Sequence, residues 1–298
     1  MLSSCSICPR ACRVDRTAGA TGICGQTDKV RLARAALHFW EEPPISGEQG
    51  SGTVFFSGCP LNCVYCQNKP IATGDVGKEV TVERLAEIFL EQQGRGAHNI
   101  NLVTPTHFAS QIKAALDIAH KNGLILPVVY NCAGYETVEA IQALEGYIDI
   151  FLTDFKYASP ELALRYSKAK DYPQIATRAL DAMFELVGPC VFDSEGMMTR
   201  GVIVRHLLLP GHLDDSKAVL HLLALKPYSD DIILSIMSQY TPMEGVGRSF
   251  PELGRKVTDE EYDELLDYSI EVGFEEAFCQ DGECAEESFI PAFDYEGV

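Results

Sequence analysis

Six short apolar runs punctuate the chain: TVFFS (53–57), INLVT (100–104), LPVVYN (126–131), IDIFLT (148–153), GVIVRHLLL (201–209) and DIILSIMS (231–238). Rich in β-branched and aromatic residues, they read as strands. Most are continuously apolar rather than alternating, the pattern of parallel strands covered on both faces. Between them the apolar period lengthens to that of helices. Residues 81–93 put Val82, Leu85, Ala86 and Phe89 on one face, and residues 110–121 do the same with Ile112, Ala115, Leu116 and Ala119. Residues 216–226 place Val219, Leu222 and Leu223 together, with Lys226 closing the end. After the sixth run, VTDEEYDELL opens a helix with a capping box between Thr258 and Glu261 and a staple of Val257 onto Tyr262.

Parallel strands joined by right-handed crossover helices curl toward a barrel. Six such units predict an α/β fold, an incomplete (β/α)6 barrel rather than the eight units of the closed form. Three sections follow: a Cys-rich N-terminal cap over residues 1–45, the barrel core over 46–272, and a short acidic C-terminal extension over 273–298. The stretch EEPPISGEQGSG (41–52) is rich in Pro and Gly and reads as a linker.

Composition narrows the function. A hydrophobic share of 46% is that of a chain with a real core. A formal net charge of -19 would be repelled by a phosphate backbone, which argues against DNA or RNA as a main partner. The simplest role for that charge is solubility. No apolar run is long enough to span a bilayer, and MLSSCSICPRAC lacks the apolar stretch of a secretory signal. The expectations are no membrane and a cytoplasmic address. The 11 cysteines then read as metal-binding or catalytic thiols rather than disulfides. Four fall at Cys5, Cys8, Cys12 and Cys24, three at Cys59, Cys63 and Cys66, and two at Cys279 and Cys284; Cys132 and Cys190 stand apart.

SGCPLNCVYCQN (57–68) follows the first predicted strand directly and spaces its cysteines C-x3-C-x2-C. The C-terminal ends of the strands are where parallel barrels place their chemistry. Three closely spaced thiolates suit an iron–sulfur cluster. In a cubane they leave one iron without a protein ligand, open to a substrate or cofactor. A structural zinc loop is the competing reading, and it requires a fourth ligand from elsewhere in the chain.

C-x3-C-x2-C after the first strand, with Tyr65 just before the last cysteine, resembles the radical S-adenosylmethionine superfamily. The wider FFSGCPLNCVYCQN resembles the pyruvate formate-lyase activating enzymes. The N-terminal CxxCPRxC…DRxxGxxGxCG and the closing ESFIPAFD resemble an activating-enzyme-like group without an assigned target. The likeness spans essentially the whole chain. It implies a [4Fe–4S] cluster on Cys59, Cys63 and Cys66, whose open iron chelates the methionine part of S-adenosyl-L-methionine. An electron from the cluster then cleaves the sulfonium bond, giving methionine and a 5′-deoxyadenosyl radical that abstracts hydrogen. It also implies Tyr65 near the adenine, a flavodoxin or ferredoxin as electron donor, and a glycine of a glycyl-radical enzyme as substrate. Two alternatives stand beside it. One aims the same radical at a small molecule or a peptide. The other is a non-catalytic iron–sulfur electron carrier or zinc-stabilised binding module, which has no need of a lined pocket.

The remaining strand ends supply candidate pocket residues. TPTH (104–107) stands where the resemblance implies Gly-Gly-Glu. Thr104 and Thr106 offer oxygens in its place, and His107 is either a proton donor or ligand or a neutral histidine opening the next helix. In NCAGYE (131–136), Asn131 stands where a ribose or methionine carboxylate would bind, and Gly134 permits a close backbone approach; a simple turn is the alternative. Asp154 and Lys156 share one face of an extended segment. They resemble the Asp-x-Lys of activating enzymes, which contacts cofactor or substrate; a surface ion pair is the alternative. Arg205 and His206 lie inside an apolar run. A buried guanidinium needs a partner, either a cofactor carboxylate or a core carboxylate such as Asp154. These four residues are the catalytic candidates. Ser238 and Gln239 are candidate hydrogen-bonders to adenine or substrate. Cys5, Cys8, Cys12 and Cys24 form a candidate second metal site, for zinc or a second cluster. Arg10, Arg13 and Arg16 beside them are expected to hold the cap to the acidic body. Cys279 and Cys284 join that set, form a redox pair, or are plain exposed thiols.

Overall fold

The computed structural model describes residues 2–274, 277–279 and 291–298. Its strands are β1 (Val30–His38), β2 (Ser51–Phe56), β3 (Lys78–Val80), β4 (Ile100–Val103), β5 (Val128–Cys132), β6 (Ile150–Asp154), β7 (Val191–Phe192), β8 (Met198–Leu207), β9 (Ile233–Met237) and β10 (Phe278–Cys279). They join in the order β10-β9-β8-β6-β5-β4-β2-β1-β3, with β7 paired to β8 at one side. The six apolar runs are β2, β4, β5, β6, β8 and β9, and every neighbouring pair among them is parallel. The sheet curves without closing, as an incomplete barrel does.

The helices cover the outer face. The Val82–Gly94 helix is capped by the Thr81 hydroxyl and buries Leu85, Ala86, Ile88 and Phe89. The Ala109–Lys121 helix buries the four residues its period predicts. The Leu213–Ala224 helix differs. It buries Ser216, Val219, Leu220 and Leu223, leaving Leu222 37% exposed. Lys226 lies beyond its end and pairs with Asp181 rather than capping it. The Thr258–Glu261 capping box is present at the Asp259–Glu271 helix.

Three features go beyond the sequence reading. β1 pairs antiparallel with β2, and residues 294–298 lie along it, with Ala35 N–H donating to the Glu296 carbonyl at 2.8 Å. The Tyr172–Val187 helix fills the crossover from β6 to β8. The stretch read as a linker is buried structure: Pro43–Ser46 forms a helical turn. Its Ile45 packs against Val129, Ile150, Leu152, Met198 and Ile203 inside the curved sheet. Burying such a side chain contributes about 1.5–3 kcal/mol, so this stretch is part of the barrel's interior. Among the described residues no helix is long and apolar enough to cross a membrane.

Candidate functional site

β2 ends at Phe56, and the chain turns at Gly58 into the cysteine loop. Gly58 has φ +90°, and a Cβ there would sit 2.5 Å from the Cys24 carbonyl oxygen. Only glycine fits where the loop leaves the strand. Asn62, at φ 52°, takes the left-handed turn that brings Cys63 round. The Leu61 N–H donates to the Cys59 sulfur at 3.4 Å, and the Asn68 N–H donates to the Cys66 sulfur. The Ser167 hydroxyl donates to the Cys63 sulfur at 2.9 Å. Behind Ser167 stand two more hydroxyls: Tyr157 at 2.7 Å from Ser167, and Tyr65 at 2.7 Å from Tyr157. This row of hydroxyls ends in a donor on sulfur. Burial, with the neighbouring thiols adding to it, pushes the free thiols up, Cys59 to about 11 and Cys66 to about 12. The loop is therefore arranged for thiolates that only a bound cation would compensate.

The three cysteines open onto a cavity of about 550 Å³, shared by Tyr65, Thr104, Asn131, Asp154, Lys156, Arg205 and Gln239. Asp154 and Lys156 form a close ion pair. Burial pulls the ammonium down, but Asp154 and the Cys63 sulfur outweigh it and hold Lys156 above its ordinary range. The Tyr172 hydroxyl locks this strand end. It accepts from Lys156 N–H at 2.9 Å and donates to the Ala133 carbonyl at 2.9 Å.

Arg205 finds a partner other than Asp154. Its Nε and Nη2 each meet a Glu42 carboxylate oxygen at 2.7 Å, and Nη2 also pairs with Glu41. Burial pushes Glu42 up, but Arg205 holds the carboxyl below its usual range. Both glutamates come from the stretch read as a linker, and no local pattern marked them.

Other candidates lie off the cavity. His206 follows Arg205 on β8, and alternation turns it to the opposite face. There Nδ1–H donates to the Phe155 carbonyl at 2.7 Å, and burial lowers the ring to about 4, leaving it neutral. His107 likewise donates from Nε2 to the Ser57 carbonyl at 2.7 Å, and burial lowers it to about 3. Thr106 donates to Glu136 at 2.6 Å, and burial pushes that carboxyl up to about 8. Gly134 does permit a close approach, but to the chain itself: a Cβ there would stand 2.2 Å from the Asp154 carbonyl oxygen. Ser238 does not line the cavity, whereas Gln239 does, and its carbonyl accepts from Gln67 at 2.9 Å. Tyr65 reaches the cavity while its ring packs edge-on against Tyr157, Tyr166 and Tyr240.

The cap docks through carbonyls rather than acidic side chains. Arg10 donates to Pro60, Ser167 and Lys168, and Arg16 donates to Thr27 and His107. Cys284 lies outside the described residues, and Cys279 is described only as part of β10.

Comparison with known proteins agrees with this geometry. A protein of Methanocaldococcus jannaschii named Uncharacterized protein MJ0674 is 30% identical over 276 residues, covering 90% of this chain and 74% of that protein. A family model described as the Radical SAM superfamily matches residues 53–223, from β2 with its cysteine loop to the helix after β8. With three cysteines opening onto a strand-end cavity in an incomplete barrel, the chain belongs to the radical SAM superfamily, whose enzymes generally bind a [4Fe–4S] cluster and S-adenosylmethionine.

Proposed function

We propose that the protein is an activating-type radical SAM enzyme that abstracts hydrogen from a glycine of a partner polypeptide. The observation that carries the reading is the convergence of Cys59, Cys63 and Cys66 with Asp154 and Lys156 on one cavity. When bound, the cluster and S-adenosylmethionine supply an electron and a carbon-centred radical, the hard part of the chemistry.

This chain's residues supply position. Cys59, Cys63 and Cys66 would hold the cluster. Asp154 and Lys156 present one carboxylate and one ammonium, the complement of the amino and carboxylate groups of an amino acid. Asn131 and Thr104 add an amide and a hydroxyl along the same wall. The Arg205–Glu41–Glu42 group is already internally paired. It fixes the N-terminal stretch against β8, while the Asp154–Lys156 ion pair lines the cavity beside the three cysteines. Phe39 and Trp40, 49% and 60% exposed, border the cavity and offer an apolar rim to an incoming peptide segment. A one-electron protein of the flavodoxin or ferredoxin class would supply the reducing electron.

A second reading has its own observation. TPTH at the end of β4 departs from the Gly-Gly-Glu of the activating enzymes, which favours a small molecule or free peptide as substrate. Incubation with glycyl-radical enzymes, S-adenosylmethionine and a reductant separates the two. A glycyl signal by electron paramagnetic resonance on any partner supports the first reading. Cofactor cleavage without a glycyl signal on any partner supports the second.

A further inference from the structure

The cap contains a loop that copies the one after β2. Residues 8–12 read CPRAC and residues 59–63 read CPLNC. In each, proline follows the first cysteine, and the residue before the second cysteine is left-handed: Ala11 at φ 42° and Asn62 at φ 52°. In each, the N–H two residues on donates to the first sulfur, Arg10 to Cys8 and Leu61 to Cys59. A left-handed alanine is strained, so the cap holds this shape at a cost of order 1 kcal/mol.

The other two cap cysteines complete the set. The Gln26 N–H donates to the Cys24 sulfur, and the Ile23 N–H donates to the Cys12 sulfur at 3.4 Å. Cys24 interacts electrostatically with Cys5, Cys8 and Cys12, so the four thiols form one group. Cys5, Cys8 and Cys24 are buried, and none of the four lines the cavity.

We infer that Cys5, Cys8, Cys12 and Cys24 hold a second iron–sulfur cluster, fully ligated by protein. The loop shared with Cys59 and Cys63 favours a cluster over zinc: both begin Cys-Pro, turn through a left-handed residue before the second cysteine and place a backbone N–H on the first sulfur. A cluster spreads its thiolates over several irons rather than drawing them to one point. The second site sits close behind the first: Arg10 reaches the Pro60 carbonyl at 2.8 Å, and the Cys24 carbonyl lies against Gly58. Four thiolates leave no iron open, so this cluster binds no substrate.

The test is metal content rather than turnover, so it stands apart from the proposed activity. The Cys59→Ala, Cys63→Ala, Cys66→Ala triple variant is reconstituted anaerobically with iron and sulfide. The expectation is that it retains roughly half of the wild-type iron and sulfide, with charge-transfer absorption. Adding Cys8→Ser and Cys24→Ser should remove the rest. A folded triple variant without iron and sulfide, or with zinc alone, overturns the inference. If the triple variant does not fold, iron in the wild-type protein decides. More than the about four irons of one cubane per chain supports two clusters, and four or fewer overturns them.

Discussion

The two cysteine loops share a backbone and differ in what surrounds it. After β2, CPLNC faces a cavity lined by Asp154, Lys156 and Asn131, and the third thiol follows three residues on. In the cap, CPRAC stands off that cavity, and Cys5 and Cys24 bring its thiols to four. The same local turn therefore serves two ends. Three thiols at a strand end stand beside a cavity, whereas the four of the cap do not. What separates the two is the barrel around the loop, not the turn itself.

The largest structural effect expected falls on what keeps the cavity polar and open. Arg205→Ala leaves Glu41 and Glu42 buried without their cation, which should cost about 3–5 kcal/mol in denaturant unfolding. A loss below about 1 kcal/mol would show that the glutamates find water instead. Next comes the residue touching both loops. Gly58→Ala places a methyl against the Cys24 carbonyl in a left-handed conformation, so a loss of about 1–3 kcal/mol is expected. Iron content should fall at both cysteine groups together; loss at one alone would break the claim that they are packed as neighbours.

Smaller effects sharpen the comparison. Ser167→Ala removes the hydroxyl on the Cys63 sulfur, whereas in the cap backbone N–H groups donate to the sulfurs. The reduced cluster loses one hydrogen bond, so its potential should fall by the equivalent of about 1 kcal/mol. An unchanged redox titration would remove the hydroxyl row from the account. The weakest effect lies outside both loops and serves as a control. Hydrogen bonding from Arg255 lowers Glu261 to about 2 against an ordinary 4.5, with burial opposing. Its contribution is full above the ordinary value and is lost as pH falls from 4.5 toward 2. Glu261→Gln should remove no more than about 1 kcal/mol of that acid dependence, since the pair is near the surface.

The barrel strands were legible because burial on both faces leaves continuous apolar runs. β1 was not. Its sequence VRLARAALH carries Arg31 and Arg34, whose charges are met far along the chain: Arg31 by the Gly74 and Gly77 carbonyls, Arg34 by Asp294 and Glu296. The Tyr172–Val187 helix carries a helical stripe, with Ile175, Ala176, Ala179, Leu180 and Met183 buried, but the strand that follows it, β7, is only two residues long and exposed. In the site, the thiols and the Asp154–Lys156 pair announced themselves by spacing. His206 and Arg205 both interrupt one apolar run, although alternation along a strand separates them. Glu41 and Glu42 carried no local sign, since their meaning depends on an arginine more than a hundred residues away.

The most direct measurement is 5′-deoxyadenosine formation. The protein is reconstituted anaerobically, given dithionite and S-adenosylmethionine, and compared with the Cys59→Ala, Cys63→Ala, Cys66→Ala triple variant. The account predicts product from the wild type and none from the variant, even where the variant still carries iron in the cap. No product from a wild-type protein shown to hold iron and sulfide, with or without a partner polypeptide, would contradict it.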